Sequence, residues 1–304
     1  MSYFCQKSLT LFLGMDSIHV MIDLHTHSIF SDGTDTPTQL VQRAVRLEIE
    51  AIALTDHDVV DGCSELQEAA QKYPHLTAIS GTELGVDHPA NVEIIALCIS
   101  DLTPYLERQK RLLELRRHAN IQRVELLKKA GFKISWNDVS FDENGEERSV
   151  IAKPHIAQFL FKTAQVKDCE FVYKNLLAKG CLAYVKKQEP TLEETLDFIS
   201  QTGAVSILAH PCLMRLTGND LFNEIKYFKQ KGLDGMEVYH SDCTEEQMKE
   251  YNQMADDLGL LKSGGSDYHG QNAHPGVELG VGRKNLNIPK RFLDRILSKA
   301  KERS

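Results

Sequence analysis

Among its seven cysteines the 304-residue chain has no Cys-x-x-Cys pair, and nowhere does it carry an apolar run long enough to span a membrane. It also lacks tandem repeats, low-complexity tracts and any excess of positive charge. The cysteines (Cys5, Cys63, Cys98, Cys169, Cys181, Cys212, Cys243) fall in part inside apolar runs such as Ile95-Ala96-Leu97-Cys98-Ile99. They read as reduced core residues of a cytoplasmic protein. A formal charge of -8 excludes a surface that grips duplex DNA by counterion release, which needs a basic footprint. Near the start, Lys7 and the run from Leu9 to Leu13 are soon interrupted by Asp16 with no small-residue cleavage site, so no signal peptide is expected. Organised sequence begins near Val20. Met15 and Met21 are therefore alternative starts, and residues 1–20 are set apart as an N-terminal extension without an assigned role.

What is present is a 42% apolar fraction, ample for a large core, arranged as strand-like runs alternating with amphipathic helical runs. Strands are expected at 20–26, 51–55, 76–80, 92–99, 204–209, 235–239 and 260–264, the signature of an α/β fold with a parallel sheet. Thr36 and Pro37 mark a helix start, Thr191-x-x-Glu194 and Thr244-x-x-Gln247 read as capping boxes, and Gly259 reads as a helix end.

Between 101 and 182 the strand signal gives way to helical patterns at 103–130 and 154–179, separated by a loop-like, acidic 135–150. The simplest organisation is a barrel of residues 21–100 and 183–304 interrupted by a helical insertion, 101–182. From Arg108 to Lys129 the insertion holds eight Lys or Arg against two Glu, which on its own reads as a solvated helix face.

The chemistry lies where strands end. His25 and His27 alternate along the first strand and so point to one face. Asp32 sits in the turn Ser31-Asp32-Gly33. The next strands end in Thr55-Asp56-His57-Asp58 and Gly81-Thr82-Glu83, and after the insertion come Ala209-His210-Pro211 and Gly265-Ser266-Asp267-Tyr268-His269. Each residue alone reads as a hydrogen-bonded core or turn residue. Their recurrence at five strand ends does not, because imidazoles and carboxylates buried together need a compensating partner, which divalent ions supply. Ligands without thiolate suit manganese, iron or zinc. Of the other histidines, His19, His75, His88, His118 and His274 read as surface or loop residues, and His240 is ambiguous.

With these motifs in this order the chain resembles the polymerase and histidinol phosphatase (PHP) family over roughly 21–283. The helical insertion with its Lys153-Pro154-His155 is most similar to the bacterial branch of nucleotide phosphatases and 5′-to-3′ exoribonucleases, and stand-alone histidinol phosphatases are less similar. The resemblance implies a distorted (β/α)7 TIM-like barrel holding up to three divalent ions, manganese first, with iron or zinc as alternatives. One ion would take His25, His27, Glu83 and Asp267; a second Asp32, His57 and His269; a third His210 with Glu83 as bridge. Glu83, Asp267 and His269 would carry the catalysis.

Glu93 stands where the family pattern has histidine, either as a third-site ligand or as the partner of a Lys or Arg. Cys212 stands where a small residue is common. His155 and Lys153, with Arg116 and Arg117, are the expected substrate contacts. The expected substrate is a nucleotide with a terminal phosphate, such as a nucleoside 3′,5′-bisphosphate, or short single-stranded 5′-phosphorylated RNA. Histidinol phosphate, and a non-catalytic phosphate-binding module, are the alternatives.

Overall fold

A computed structural model describes residues 21–303 except Glu143, Ser149, Val150, Lys187, Gln188 and Asn272. The N-terminal extension, with Cys5, His19 and the alternative start Met15, lies outside the described residues.

Seven strands form one sheet in chain order: β1 (Met21–Asp23), β2 (Ile49–Leu54), β3 (Thr77–Gly85), β4 (Glu93–Leu97), β5 (Val205–Leu208), β6 (Gly235–His240) and β7 (Leu261–Gly265). The first and last meet beyond their strand ends. Leu24 N–H donates to Gly264 O (3.2 Å), Asp267 N–H to His25 O (3.0 Å) and His27 N–H to Tyr268 O (2.9 Å), so the sheet curls into a nearly closed barrel. Helices α1 (Pro37–Arg46) and α2 (Gly62–Ala70) follow β1 and β2.

The parallel pattern fails at one place. β4 pairs antiparallel with both β3 and β5. The connection 86–92 is too short for a helical crossover, which takes a dozen or more residues, so the chain can only turn back beside β3. This is one source of the barrel's distortion.

Between β4 and β5 run α3 (Thr103–Lys129), α4 (Asn137–Ser140), α5 (Lys153–Lys162), α6 (Cys169–Val172) with a π-helical turn at Tyr173–Leu177, and α7 (Leu192–Gln201). The stretch read as a loop, 135–150, thus contains the short α4 and a bridge between Phe141 and Glu147. Val124, Leu127, Ile134, Ile156, Leu160 and Val172 bury one another in an apolar cluster belonging to α3 to α6. Leu192, Leu196 and Ile199 of α7 instead join the core around β4 and β5.

The remaining helices, α8 (Gly218–Gln230), α9 (Glu245–Leu258) and α10 (Lys290–Arg303), cover β5 to β7. The anticipated caps are in place. Thr36, Thr191 and Thr244 accept from the backbone N–H groups of Gln39, Glu194 and Gln247, and Gly259 ends α9 at φ +61°. No described helix is long and apolar enough to cross a membrane.

α3 departs from the solvated-face reading. Arg108, Arg116 and Arg123, spaced eight and seven residues apart, share one face and turn inward. Arg108 stacks on Phe198 (4.5 Å) and donates to Thr195 Oγ1 (3.1 Å), while Arg123 donates to Asn120 Oδ1 (2.6 Å) and Val185 O (2.9 Å). Lys110, Arg111, Arg117, Lys128 and Lys129 remain exposed.

Barrel closure brings β7 hard against His25, two residues past β1. A Cβ on Gly265 would lie 2.5 Å from His25 N and closer still to His25 Cβ. Gly265→Ala is therefore expected to lower stability by about 1–3 kcal/mol, as overpacking does. Urea unfolding of the two proteins checks this; equal midpoints would show that the seam tolerates the extra methyl.

Candidate metal centre

The barrel mouth is built on two buried carboxylates that hold loops. Asp23 accepts from Ser266 N (2.8 Å), Ser266 Oγ (2.5 Å), Gly280 N (2.7 Å) and His25 N (3.3 Å), which ties the ends of β1 and β7 together. Asp56 accepts from Ser28 N (2.7 Å), Ser28 Oγ (2.6 Å) and Ser31 Oγ (2.5 Å), which holds the turn carrying Asp32. Neither is left with an oxygen for other work.

Above them the predicted side chains converge. His25 Nε2 and His27 Nε2 lie 3.1 Å apart, Asp267 Oδ1 is 3.4 and 3.2 Å from them, and Glu83 Oε2 is 3.5 Å from both. Four donor atoms at such separations can share one ion. On one side Asp32 Oδ1 is 3.2 Å from His269 Nε2 and 3.9 Å from His27 Nδ1, and its Oδ2 is 3.7 Å from His57 Nε2. On the other, His210 Nε2 is 2.8 Å from Glu83 Oε1 and 3.5 Å from Glu93 Oε2. The ion pairs Glu93 makes among the described residues are with His57 (3.8 Å) and His210. The Lys or Arg partner allowed for it is not among them.

The donor set fits cations on a further observation. Asp32 Oδ1, His57 Nδ1 and Glu83 Oε2 are buried with no neighbour in hydrogen-bonding geometry. Orphan polar atoms at such density are costly unless something else binds them.

Two residues that the motifs did not select complete the site, both on β6. Glu237, 1% exposed, places Oε1 3.1 Å from His25 Nδ1 and accepts the His210 N–H through Oε2 (2.7 Å), so one carboxylate orients two imidazole residues. A carboxylate inside the apolar run Gly235-Met236-Glu237-Val238 was the signal. His240, ambiguous at its strand end, stands just past a register shift between Glu237 and Tyr239 that breaks the strand's alternation. Its Nε2 lies 3.5 Å from Asp267 Oδ2. His274, expected in a loop, comes to the rim with its ring 6.0 Å from that of His269.

The four expected substrate contacts separate. Arg116 and Lys153 line a cleft of about 280 Å3 between the centre and α3, whose other walls include Asp32, His57, Glu93, Asn120, Arg123 and Tyr173. Arg116 pairs there with Asp58. Arg117 does not reach the cleft; it lies over the Trp136 ring at 5.7 Å on the far side of α3. His155 Nδ1 accepts from Ala152 N (2.9 Å) at the start of α5, and the ring lines a separate small cavity with Asp138 and Arg148. Burial and then Arg148 lower its pKa to about 4, so it is a neutral ring.

Burial alone would lower every imidazole in the centre, but at His57, His269 and His240 the neighbouring groups outweigh it. Asp32 and Glu83 raise His57 to about 10, Asp267 and Asp32 raise His269 to about 9, and contacts with Asp267 and Cys212 raise His240 to about 10. His27, beside His269, falls to about 4. Asp32, Glu83 and Asp267 are held below the usual carboxylate range, because the surrounding imidazoles overcome the opposing effect of burial.

A nearly closed barrel whose strand ends carry this cluster defines a hydrolase of the metal-dependent phosphoesterase class. The PHP domain model matches residues 23–201, and the chain belongs to that family. It is 30% identical over 271 residues to a 5′-3′ exoribonuclease of Haemophilus influenzae, spanning 88% of this chain and 94% of that one. It is 31% identical over 251 residues to a 3′,5′-nucleoside bisphosphate phosphatase of Chromobacterium violaceum, spanning 82% and 87%. A Bifidobacterium adolescentis protein proposed to be a metal-dependent phosphoesterase has a crystal structure that superposes with a TM-score of 0.78 at 27% identity, covering 91% of this chain and 96% of that one.

Metal-free imidazoles with raised pKa values are protonated at neutral pH, and a ligand must be neutral. Metal uptake near pH 7 is therefore expected to release at least about one proton per chain, with affinity rising as pH increases. In the metal-free protein the same groups contribute stability that is complete below about pH 6.5 and is lost as pH rises through 9 to 10. Calorimetry in buffers of different ionisation enthalpy reads the proton count; a value of zero contradicts the assignment.

Proposed function

We propose that the phosphoesterase acts on a nucleotide with a terminal phosphate, such as a nucleoside 3′,5′-bisphosphate, or on short 5′-phosphorylated RNA trimmed from its 5′ end. The single observation that carries this reading is the cleft. One wall is the carboxylate and imidazole centre, the other is cationic and amide-rich, with Arg116, Arg123, Lys153 and Asn120, and Tyr173 adds an aromatic surface. Such a cleft suits an anion at one end and a base at the other. The two relatives named for nucleotide and RNA chemistry support the same class.

In this reading His25, His27, Glu83 and Asp267 hold one ion, Asp32, His57 and His269 a second, and Glu83, Glu93 and His210 a third, with manganese first and iron or zinc as alternatives. Bound ions would supply Lewis acidity and a water of lowered pKa. Glu83 spaces the sites because its two oxygens face different imidazoles. Glu237 holds the His25 ring and the His210 backbone in register. Arg116 and Lys153 bind the phosphate and orient its ester bond toward the centre. The glutamate at 93 adds a negative charge where the family pattern has a neutral ring.

Asp267→Ala and His27→Ala are each expected to abolish hydrolysis while the protein stays folded by circular dichroism, with metal content falling in parallel; full turnover in either variant rejects the ligand set. Side-by-side rates on a nucleoside bisphosphate, 5′-phosphorylated oligoribonucleotides and histidinol phosphate test the substrate class. Arg116→Ala is expected to cost about 10- to 100-fold in kcat/KM on the nucleotides, roughly 1.4–2.8 kcal/mol. Exclusive hydrolysis of histidinol phosphate defeats the nucleotide reading.

A further inference from the structure

Beside the centre, and outside its proposed ligand set, sit two thiols and an imidazole. Cys212 lies in the 3₁₀ turn Pro211–Met214 that follows β5, and Cys243 in the loop after β6. His240, fully buried at the end of β6, turns Nδ1 toward Cys212 Sγ at 3.9 Å. One ligand atom from each of Cys212, His240 and Cys243 falls within 4.8 Å of the other two. Both sulfurs are free thiols. A tetrahedral ion with bonds of about 2.3 Å to sulfur and about 2.1 Å to nitrogen keeps sulfur and nitrogen roughly 3.6 Å apart, close to the 3.9 Å between Cys212 Sγ and His240 Nδ1.

We infer that Cys212, His240 and Cys243 form a separate binding site for a zinc-class, borderline-soft divalent ion. Two thiolates and an imidazole select such an ion, whereas the neighbouring centre offers only nitrogen and oxygen. The framework is held in advance. Cys243 N–H donates to His240 O (3.0 Å), and Asn285 Nδ2 donates to the carbonyls of Ser241 (3.0 Å) and Cys243 (3.2 Å). The partly exposed Cys212 lines a surface groove together with His88, Asn91 and Leu213, which gives an ion a way in. In the neutral ring, the form an ion requires, Nδ1 has a lone pair that Asp242 N approaches at 3.2 Å and that an ion would take in its place. Coordination through Nδ1 leaves the proton on Nε2, the atom facing Asp267 Oδ2. The site would thereby lock the tautomer of His240 and steady a carboxylate of the main centre.

The test reads sulfur coordination directly and is independent of substrate. Reduced, metal-stripped full-length protein is titrated with cobalt(II) alone. The expected result is the intense near-ultraviolet sulfur-to-cobalt charge-transfer band, with one more ion bound per chain than in Cys212→Ser or Cys243→Ser. In both variants the band falls to the level of a nitrogen and oxygen site, and His240→Gln weakens it while both thiols remain. Circular dichroism establishes that each variant is folded. Absence of the band in the wild-type protein overturns the proposal whether or not the variants fold, and so does a band that survives in folded Cys212→Ser and Cys243→Ser proteins.

Discussion

Glu83 has 1% of its side chain exposed and stands within 3.5 Å of imidazole nitrogens from His25, His27, His57 and His210. A carboxylate so placed cannot be solvated, and four rings so close cannot all be charged without repelling one another. The arrangement persists only if charge is balanced atom by atom, and much of the barrel mouth can be understood as doing that. Asp23 and Asp56 hold the backbone of the loops, Glu237 holds a ring and an amide, and Asp32 and Asp267 face the remaining imidazoles. Divalent cations complete the balance better than protons can, because one ion satisfies several lone pairs at once. That is why the orphan atoms gather here and why a metal-dependent phosphoesterase can keep so polar an interior folded.

How much of this was legible in the sequence depended on whether a residue's role was local. The strand ends declared themselves because His25-x-His27, Asp32, His57, Glu83, His210 and Asp267-x-His269 each interrupt an apolar run or follow one directly, and strand periodicity then sets their height in the barrel. The capping threonines were legible for the same reason, since a cap is a contact across three residues. The antiparallel course of β4 turned on the shortness of the 86–92 connection, a cue that apolar patterning does not weigh. Glu237 was signalled by a carboxylate inside an apolar run but belongs to none of the strand-end motifs, and His240 stands just past a register shift in β6 that no count of alternating residues anticipates. The inward turn of Arg108, Arg116 and Arg123 was masked by the exposed basic residues interleaved with them on α3. Composition reports the charge of a helix but not the face that carries it.

The two halves of the cleft are electrostatic opposites, and the division follows the architecture. The barrel contributes carboxylates, which attract cations; α3 and the start of α5 contribute Arg116, Arg123 and Lys153, which attract anions. A phosphate ester held between them meets positive charge from both sides once the carboxylates are covered by metal. Without metal it would face Asp32 and Glu93 balanced only by protonated imidazoles such as His57 and His269, less positive charge than the ions supply. Metal and substrate binding should therefore be positively coupled, each raising the affinity of the other, because the same carboxylates that bind the first repel the second.

The same division argues for a short substrate. A net charge of -8 over the chain disfavours a long polyanion over most of the surface outside the cleft, the exposed basic residues of α3 excepted, and the inward-facing arginines of α3 are partly committed, Arg116 to Asp58 and Arg123 to Asn120 and Val185. Each added phosphate beyond the cleft therefore gains little attraction and meets more of the negative surface. For the RNA substrate proposed above, affinity should saturate within the few nucleotides that the cleft and its rim can contact, and beyond that length its salt dependence should stop rising, since the slope counts the phosphates neutralised rather than those present.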